Sequence, residues 1–143
     1  MKQHLWRAPR VDDGGVAALK VRILLVDDNL DHVQLALRAL KADAAWSVEA
    51  ARLGSEALEK AREEPFDVVL LDYRLPDMTG LEVLQQLRAH APDTAVFLMT
   101  SQGSEEVAIE ALKQGAVGYV VKNADFGKRL AYEVREWAAT RGN

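Results

Sequence analysis

The chain has 143 residues, 49% of them hydrophobic and 28% charged, with a net charge of −4, so it is sized and composed for one globular domain with a real core. It has no cysteine, which excludes a disulfide framework, a thiolate metal site and a thiol nucleophile. The acidic balance, with a pI near 5.4, argues against a basic nucleic-acid-binding face. No apolar run approaches the ~18 residues of a membrane span, and MKQHLWRAPRVDDGG lacks the apolar core of a signal peptide. Together these features predict a cytoplasmic protein with no membrane insertion and no direct nucleic-acid contact.

Residues 1–20 read as a leader, because Pro9 and the Asp12–Gly15 cluster break regular structure, with Leu5, Trp6 and Val11 as candidate anchors. Val21–Val26 is the first apolar strand and ends at Asp27-Asp28-Asn29. A helix follows from about Leu30 to Lys41, with Leu30, Val33, Leu37 and Leu40 on one stripe. Ser47–Ala50 reads as a short strand, and Gly54-Ser55 opens a helix to about Glu63 with Glu56 in its first turn. Residues 67–71 form a third strand, apolar without alternation after Asp67, as expected of a parallel strand buried on both faces. That run stops at Asp72, and Pro76, Asp77 and Gly80 mark a loop.

Thr79 or Gly80 opens a helix to about His90 with Leu81, Leu84 and Leu87 inward. Ala95–Met99 is a fourth buried strand, ending at Thr100-Ser101. Ser104 caps a helix to about Gln114, with Glu105 and Glu106 in its first turn and Gly115 as the residue that ends it. Val117–Val121 is a fifth strand, ending at Lys122-Asn123. The last helix spans about Asp125–Thr140, with Phe126, Leu130, Val134 and Trp137 as its core stripe. Strands alternating with helices predict an α/β fold: a doubly wound, five-stranded parallel sheet of (βα)5 type with helices on both faces.

The strands are apolar until their ends, and then turn polar. The first delivers Asp27 and Asp28, the third Asp72, the fourth Thr100 and the fifth Lys122. In a parallel sheet these ends share one edge, where ligands of open α/β sheets bind. Each residue alone also fits a cap, a turn or a surface charge; their coincidence on one edge favours a pocket. Two carboxylates about 5 Å apart repel by roughly 3 kcal/mol at an effective dielectric of 20. A divalent cation removes that cost, and oxygen ligands without His or Cys favour Mg²⁺ over zinc. One carboxylate can then act as a nucleophile toward a phosphoryl group, which Mg²⁺ and an ammonium would neutralise.

These residues carry a family resemblance. LLVDDN, VVLLDYRLPDMTGLEVL, VFLMTSQG and GAVGYVVKN, with the spacings between their polar residues, resemble the response-regulator receiver domain of two-component signalling, from about Val21 to Trp137. The resemblance implies a receiver domain over residues 21–143, a flavodoxin- or CheY-like sheet of order 2-1-3-4-5, and a stand-alone receiver without a DNA-binding output domain. It implies that Asp72 accepts a phosphoryl group from a histidine kinase or phosphotransfer protein. Asp27, Asp28, Asp72 and the backbone carbonyl of Arg74 would hold Mg²⁺, and Lys122 would bridge the phosphoryl oxygens and Asp72. Thr100 would move toward the phosphoryl group and Tyr119 would turn inward. The surface of helix four, strand five and helix five would then change to bind a downstream protein or a second copy. Such a domain catalyses only its own phosphorylation and dephosphorylation. Arg74 and Gln102 occupy the positions that tune the lifetime of the aspartyl phosphate.

The family usually places Pro after this lysine, often behind a cis peptide; here Asn123 follows, and a cis bond before a non-proline costs about 3–4 kcal/mol. The rival readings are a phosphate-independent pseudo-receiver, a receiver cut from a larger hybrid kinase or regulator, and a flavodoxin-like nucleotide binder. The intact polar set speaks against the first. The absence of glycine from DDNLDH speaks against the last. A haloacid-dehalogenase-type phosphatase would need Asp-x-Asp where Asp27-Asp28-Asn29 stands.

Overall fold

The structure is a computed structural model that describes residues 10–11, 17–18, 20–101 and 104–140. Five strands form one parallel sheet: β1 Val21–Val26, β2 Trp46–Ala51, β3 Val68–Asp72, β4 Ala95–Thr100 and β5 Gly118–Val121. Their order is β2-β1-β3-β4-β5, the order expected from the sequence. Five helices connect or follow them: α1 Leu30–Leu40, α2 Gly54–Glu63, α3 Gly80–His90, α4 Glu105–Lys113 and α5 Phe126–Thr140.

Alternation along the strands sorts the core into two layers. Ile23, Leu25, Val68, Leu70, Phe97, Met99 and Val120 pack with α1 and α5. Leu24, Val26, Val69, Leu71, Val96 and Leu98 pack with α2, α3 and α4. Both faces of the sheet are therefore apolar, which is why the strands read as unbroken hydrophobic runs.

The α5 stripe is as expected: Phe126, Leu130 and Val134 are buried and Trp137 packs partly against the same layer. Leu84 and Leu87 of α3 are buried with Val83, and Leu81 is half-buried. Leu30 is different from its expected inward place, being 66% exposed. It begins α1 beyond the end of β1, where no strand lies beneath it, and Ala36 takes the buried position instead. Trp46 starts β2 and is buried, so it covers the core.

Ser104 stands at the N-cap of α4, but its hydroxyl makes no capping bond and lies 3.5 Å from the Ser101 hydroxyl. Gly115 ends the same helix as expected, with a φ of +106°. The Ala116 amide donates to Ala111 and the Gly115 amide to Leu112, the double closure of a Schellman turn. In the leader, Arg10–Val11 pairs antiparallel with Ala17–Ala18, a short ladder where no regular structure was expected. Leu5 and Trp6 lie outside the described residues, as does Gln102.

Candidate functional site

The side-chain parity that divides the core also builds the pocket. Asp27 and Lys122 lie just past β1 and β5, and Asp72 is the last residue of β3. All three continue the parity of the strand residues that pack on α1 and α5. Beyond the last apolar residue there is no further core to fill, and their charges meet there.

Lys122 Nζ lies 2.7 Å from Asp27 Oδ2 and 3.0 Å from Asp72 Oδ2. Asp27 and Asp72 are buried, and the Lys122 side chain is 9% exposed, so this ion triad is largely removed from water. Asp27 Oδ1 accepts from the Asn29 amide at 2.9 Å, which turns the chain into α1, and Asn29 then caps that helix through its side chain. His32, one turn into α1, brings Nδ1 to 3.8 Å from Asp27 Oδ2 and sets its ring edge-on to Phe126.

Asp28 is exposed and offers an oxygen to the same cluster. Ligand atoms of Asp27, Asp28 and Asp72 all lie within 4.8 Å of one another. One ammonium does not balance three carboxylates. Burial, and next the Asp27 carboxylate, push the Asp72 carboxyl up from 3.8 to about 6, against the pull of Lys122. An all-oxygen, acidic and partly dry cluster fits a hard divalent cation.

Thr100 ends β4, is 2% exposed, and has the opposite parity, toward α2, α3 and α4. Its carbonyl accepts from the Lys122 amide at 2.7 Å, which ties the end of β4 to the lysine. Tyr119 is on the edge strand β5, opposite Leu98, and is exposed. Arg74 is exposed beside Asp72, its amide 3.5 Å from Asp72 Oδ1. The Lys122–Asn123 peptide is trans, and the Asn123 side chain accepts from the Asp125 amide at 3.0 Å ahead of α5.

Sequence reasoning missed the role of one polar residue in the loop that follows Asp72. Asp77 accepts from the Gly54 amide at 2.8 Å and the Ser55 amide at 2.9 Å, capping α2 from a different loop. The signal was present in α2 itself. Its own N-cap is Leu53, which has no side-chain acceptor, so the first amides needed a partner from elsewhere.

The family model for the response regulator receiver domain matches residues 23–132. The chain belongs to that family. Among relatives of this receiver is the transcriptional regulatory protein ZraR of Klebsiella oxytoca, 42% identical over 109 residues, which are 76% of this chain and 24% of ZraR. The response regulator PilR of Pseudomonas aeruginosa is 38% identical over 122 residues, 83% of this chain and 25% of PilR. The receiver thus spans about a quarter of the length of these curated relatives. Among solved structures, a CheY-like receiver domain protein from Methanospirillum hungatei superposes with a TM-score of 0.76 at 29% identity, over 84% of this chain and 94% of that one. The receiver domain of NtrX from Brucella abortus gives 0.75 at 26% identity, over 82% and 98%. Receiver domains are signalling domains controlled by phosphorylation that bind Mg²⁺ in an acidic pocket, and Asp27, Asp28 and Asp72 form an acidic cluster in this one. Among the described residues, no helix is long and apolar enough to cross a membrane.

Proposed function

We propose that this receiver is a phosphorylation-driven switch in which Asp72 accepts a phosphoryl group from the phosphohistidine of a histidine kinase or a phosphotransfer protein. The observation that carries it is the Asp72 carboxylate held 3.0 Å from Lys122 Nζ beside Asp27 and Asp28. An oxygen of Asp72 forms the new P–O bond as the P–N bond to the donor imidazole breaks, and the electron pair stays on that nitrogen. Asp27, Asp28, Asp72 and the Arg74 carbonyl hold Mg²⁺, which offsets the charge of the transferring group. Lys122 keeps one hydrogen-bonding contact to Asp72 and turns the other toward the phosphoryl oxygens. The Thr100 hydroxyl donates to the same group. Tyr119 follows into the space that Thr100 leaves.

The surface that reads this change is α4, β5 and α5, where Ile109, Leu112, Val117 and Tyr119 are exposed. A downstream protein or a second copy of the chain docks there. Arg74 and Gln102 set how long the aspartyl phosphate survives.

Incubation with Mg²⁺ and acetyl phosphate, read by intact mass, tests this. One added phosphoryl group, lost on chelation of Mg²⁺ and absent from Asp72→Asn, is expected. No adduct, with fluoroberyllate also failing to bind, overturns it in favour of a phosphate-independent module. An adduct that persists in Asp72→Asn moves the acceptor to another carboxylate.

A further inference from the structure

The loop between Asp72 and α3 is braced at both ends. At its α3 end, Thr79 and Glu82 exchange the two hydrogen bonds of a capping box, at 3.2 and 2.9 Å. Arg74 bridges to Thr79, and the Gly80 amide donates to the Tyr73 carbonyl at 2.6 Å. A Cβ on Gly80 would meet the Asp72 carbonyl oxygen at 2.6 Å, so α3 begins pressed against the backbone of Asp72. On its outer side the same loop is fixed to α2. The Asp77 carboxylate takes both first amides of α2, and Met78 lies over Gly54 so closely that a Cβ there would clash with its Cγ. The Ser55 and Gly54 amides hold the Asp77 carboxyl below its usual range. Neither Asp77 nor Gly54 has a role in the phosphoryl chemistry described above.

We propose that Asp77 is a positioning residue: by clamping the 74–78 loop onto the N-terminus of α2, it holds the Arg74 carbonyl in place for the divalent cation and couples α2 to the occupancy of the acidic pocket. This rests on the reading of Arg74 as a metal ligand. A carbonyl on an exposed loop must be ordered when the cation binds, and a loop already fixed at both ends is ordered in advance. Coupling of this kind is reciprocal, so the bound cation must also steady the α2 cap.

The test is the Mg²⁺ dissociation constant, by calorimetry, of wild type, Asp77→Ala, Asp77→Asn and Gly54→Ala. Asp77→Ala is expected to weaken binding about tenfold, the low end of the range for groups that support metal ligands. Asp77→Asn, which keeps one acceptor oxygen, falls between it and wild type. Gly54→Ala, which displaces Met78 from the other side of the clamp, weakens binding without touching the loop sequence. With saturating Mg²⁺, phosphorylation by acetyl phosphate is restored in each. In wild type, added Mg²⁺ slows hydrogen exchange at the Gly54 and Ser55 amides. Lower melting temperatures with unchanged Mg²⁺ affinity in every variant that folds would reduce Asp77 to a helix cap and overturn the proposal. Failure of wild type itself to bind Mg²⁺ overturns instead the assignment of the pocket.

Discussion

At the scale of single residues, the pocket is built against electrostatic preference. Asp72 sits in the fold with a carboxyl raised to about 6 from 3.8. The folded state then binds the proton more tightly than the unfolded chain, so this carboxyl's stabilising contribution is present below pH 3.8 and is lost as pH rises through 6. Without divalent cation, Asp72→Asn is expected to be more stable than wild type above pH 7. Allowing for the part of the carboxylate open to solvent, the gain is on the order of 2 kcal/mol, and it disappears below pH 4. Urea melts across that pH range check it; a variant no more stable than wild type at pH 8 refutes it. Lys122→Met has the opposite sign. It leaves Asp27 and Asp72 without their cation and is expected to cost about 3 kcal/mol at neutral pH, partly recovered by added Mg²⁺. The same melts, repeated with and without Mg²⁺, read both effects. The convergence of Asp27, Asp28, Asp72 and Lys122 was legible in the sequence because a polar residue at the end of an apolar run is conspicuous, and Thr100 was legible only as the polar end of β4. Asp77 was not, since its partners lie on an element more than twenty residues earlier and a Pro-Asp pair also reads as an ordinary turn.

At the scale of elements, periodicity located all the strands and helices of the sheet domain, and errors gathered at their ends. Ends are decided by long-range contacts: Leu30 is exposed because β1 has already stopped beneath it. The α4 cap expected of Ser104 does not form, whereas the Thr79 cap, supported by Glu82, does. Thr79→Ala should therefore cost about 1 kcal/mol, and Ser104→Ala far less. Denaturant midpoints at constant m-value compare them. Helix α1 meets α5 closely at Gly127, where a Cβ would stand 2.9 Å from the Leu35 carbonyl oxygen. Gly127→Ala must push the two helices apart and is expected to lose about 1–3 kcal/mol. A thermal midpoint equal to wild type would show that the helices separate freely.

For the whole molecule, the pocket and the proposed docking surface occupy different parts of one domain. Ile109, Leu112, Val117 and Tyr119 are exposed on the α4–β5 side, the surface proposed above for docking. Ile109→Arg is expected to leave phosphorylation of Asp72 intact and to abolish the association that phosphorylation induces. Sedimentation of the fluoroberyllate complex, alone and with a candidate partner, reads this directly. Unchanged association would place docking on another face. The fold itself was readable because the period and the order of apolar runs specify a doubly wound sheet, but no residue pattern names the partner.

The amino edge of the sheet is held by polar staples. Asp67 accepts from the Arg22 amide at 2.8 Å, and Arg22 reaches Glu64, Glu49 and the Pro65 carbonyl. Arg88 donates to the carbonyls of Ala91, Pro92 and Thr94, and the Thr94 hydroxyl to that of Phe66. From there to the acidic edge is a strand's length, about 20 Å for six residues. Substitutions at the two ends are far enough apart to act independently. An exchange at the acidic end that removes a buried charge without orphaning its partner, as Asp72→Asn does, can thus end phosphorylation while the stapled end keeps the same chain folding. Loss of signalling and loss of the fold are separate events in such a protein, and a receiver that has gone silent can persist as a scaffold for whatever its outer face still binds.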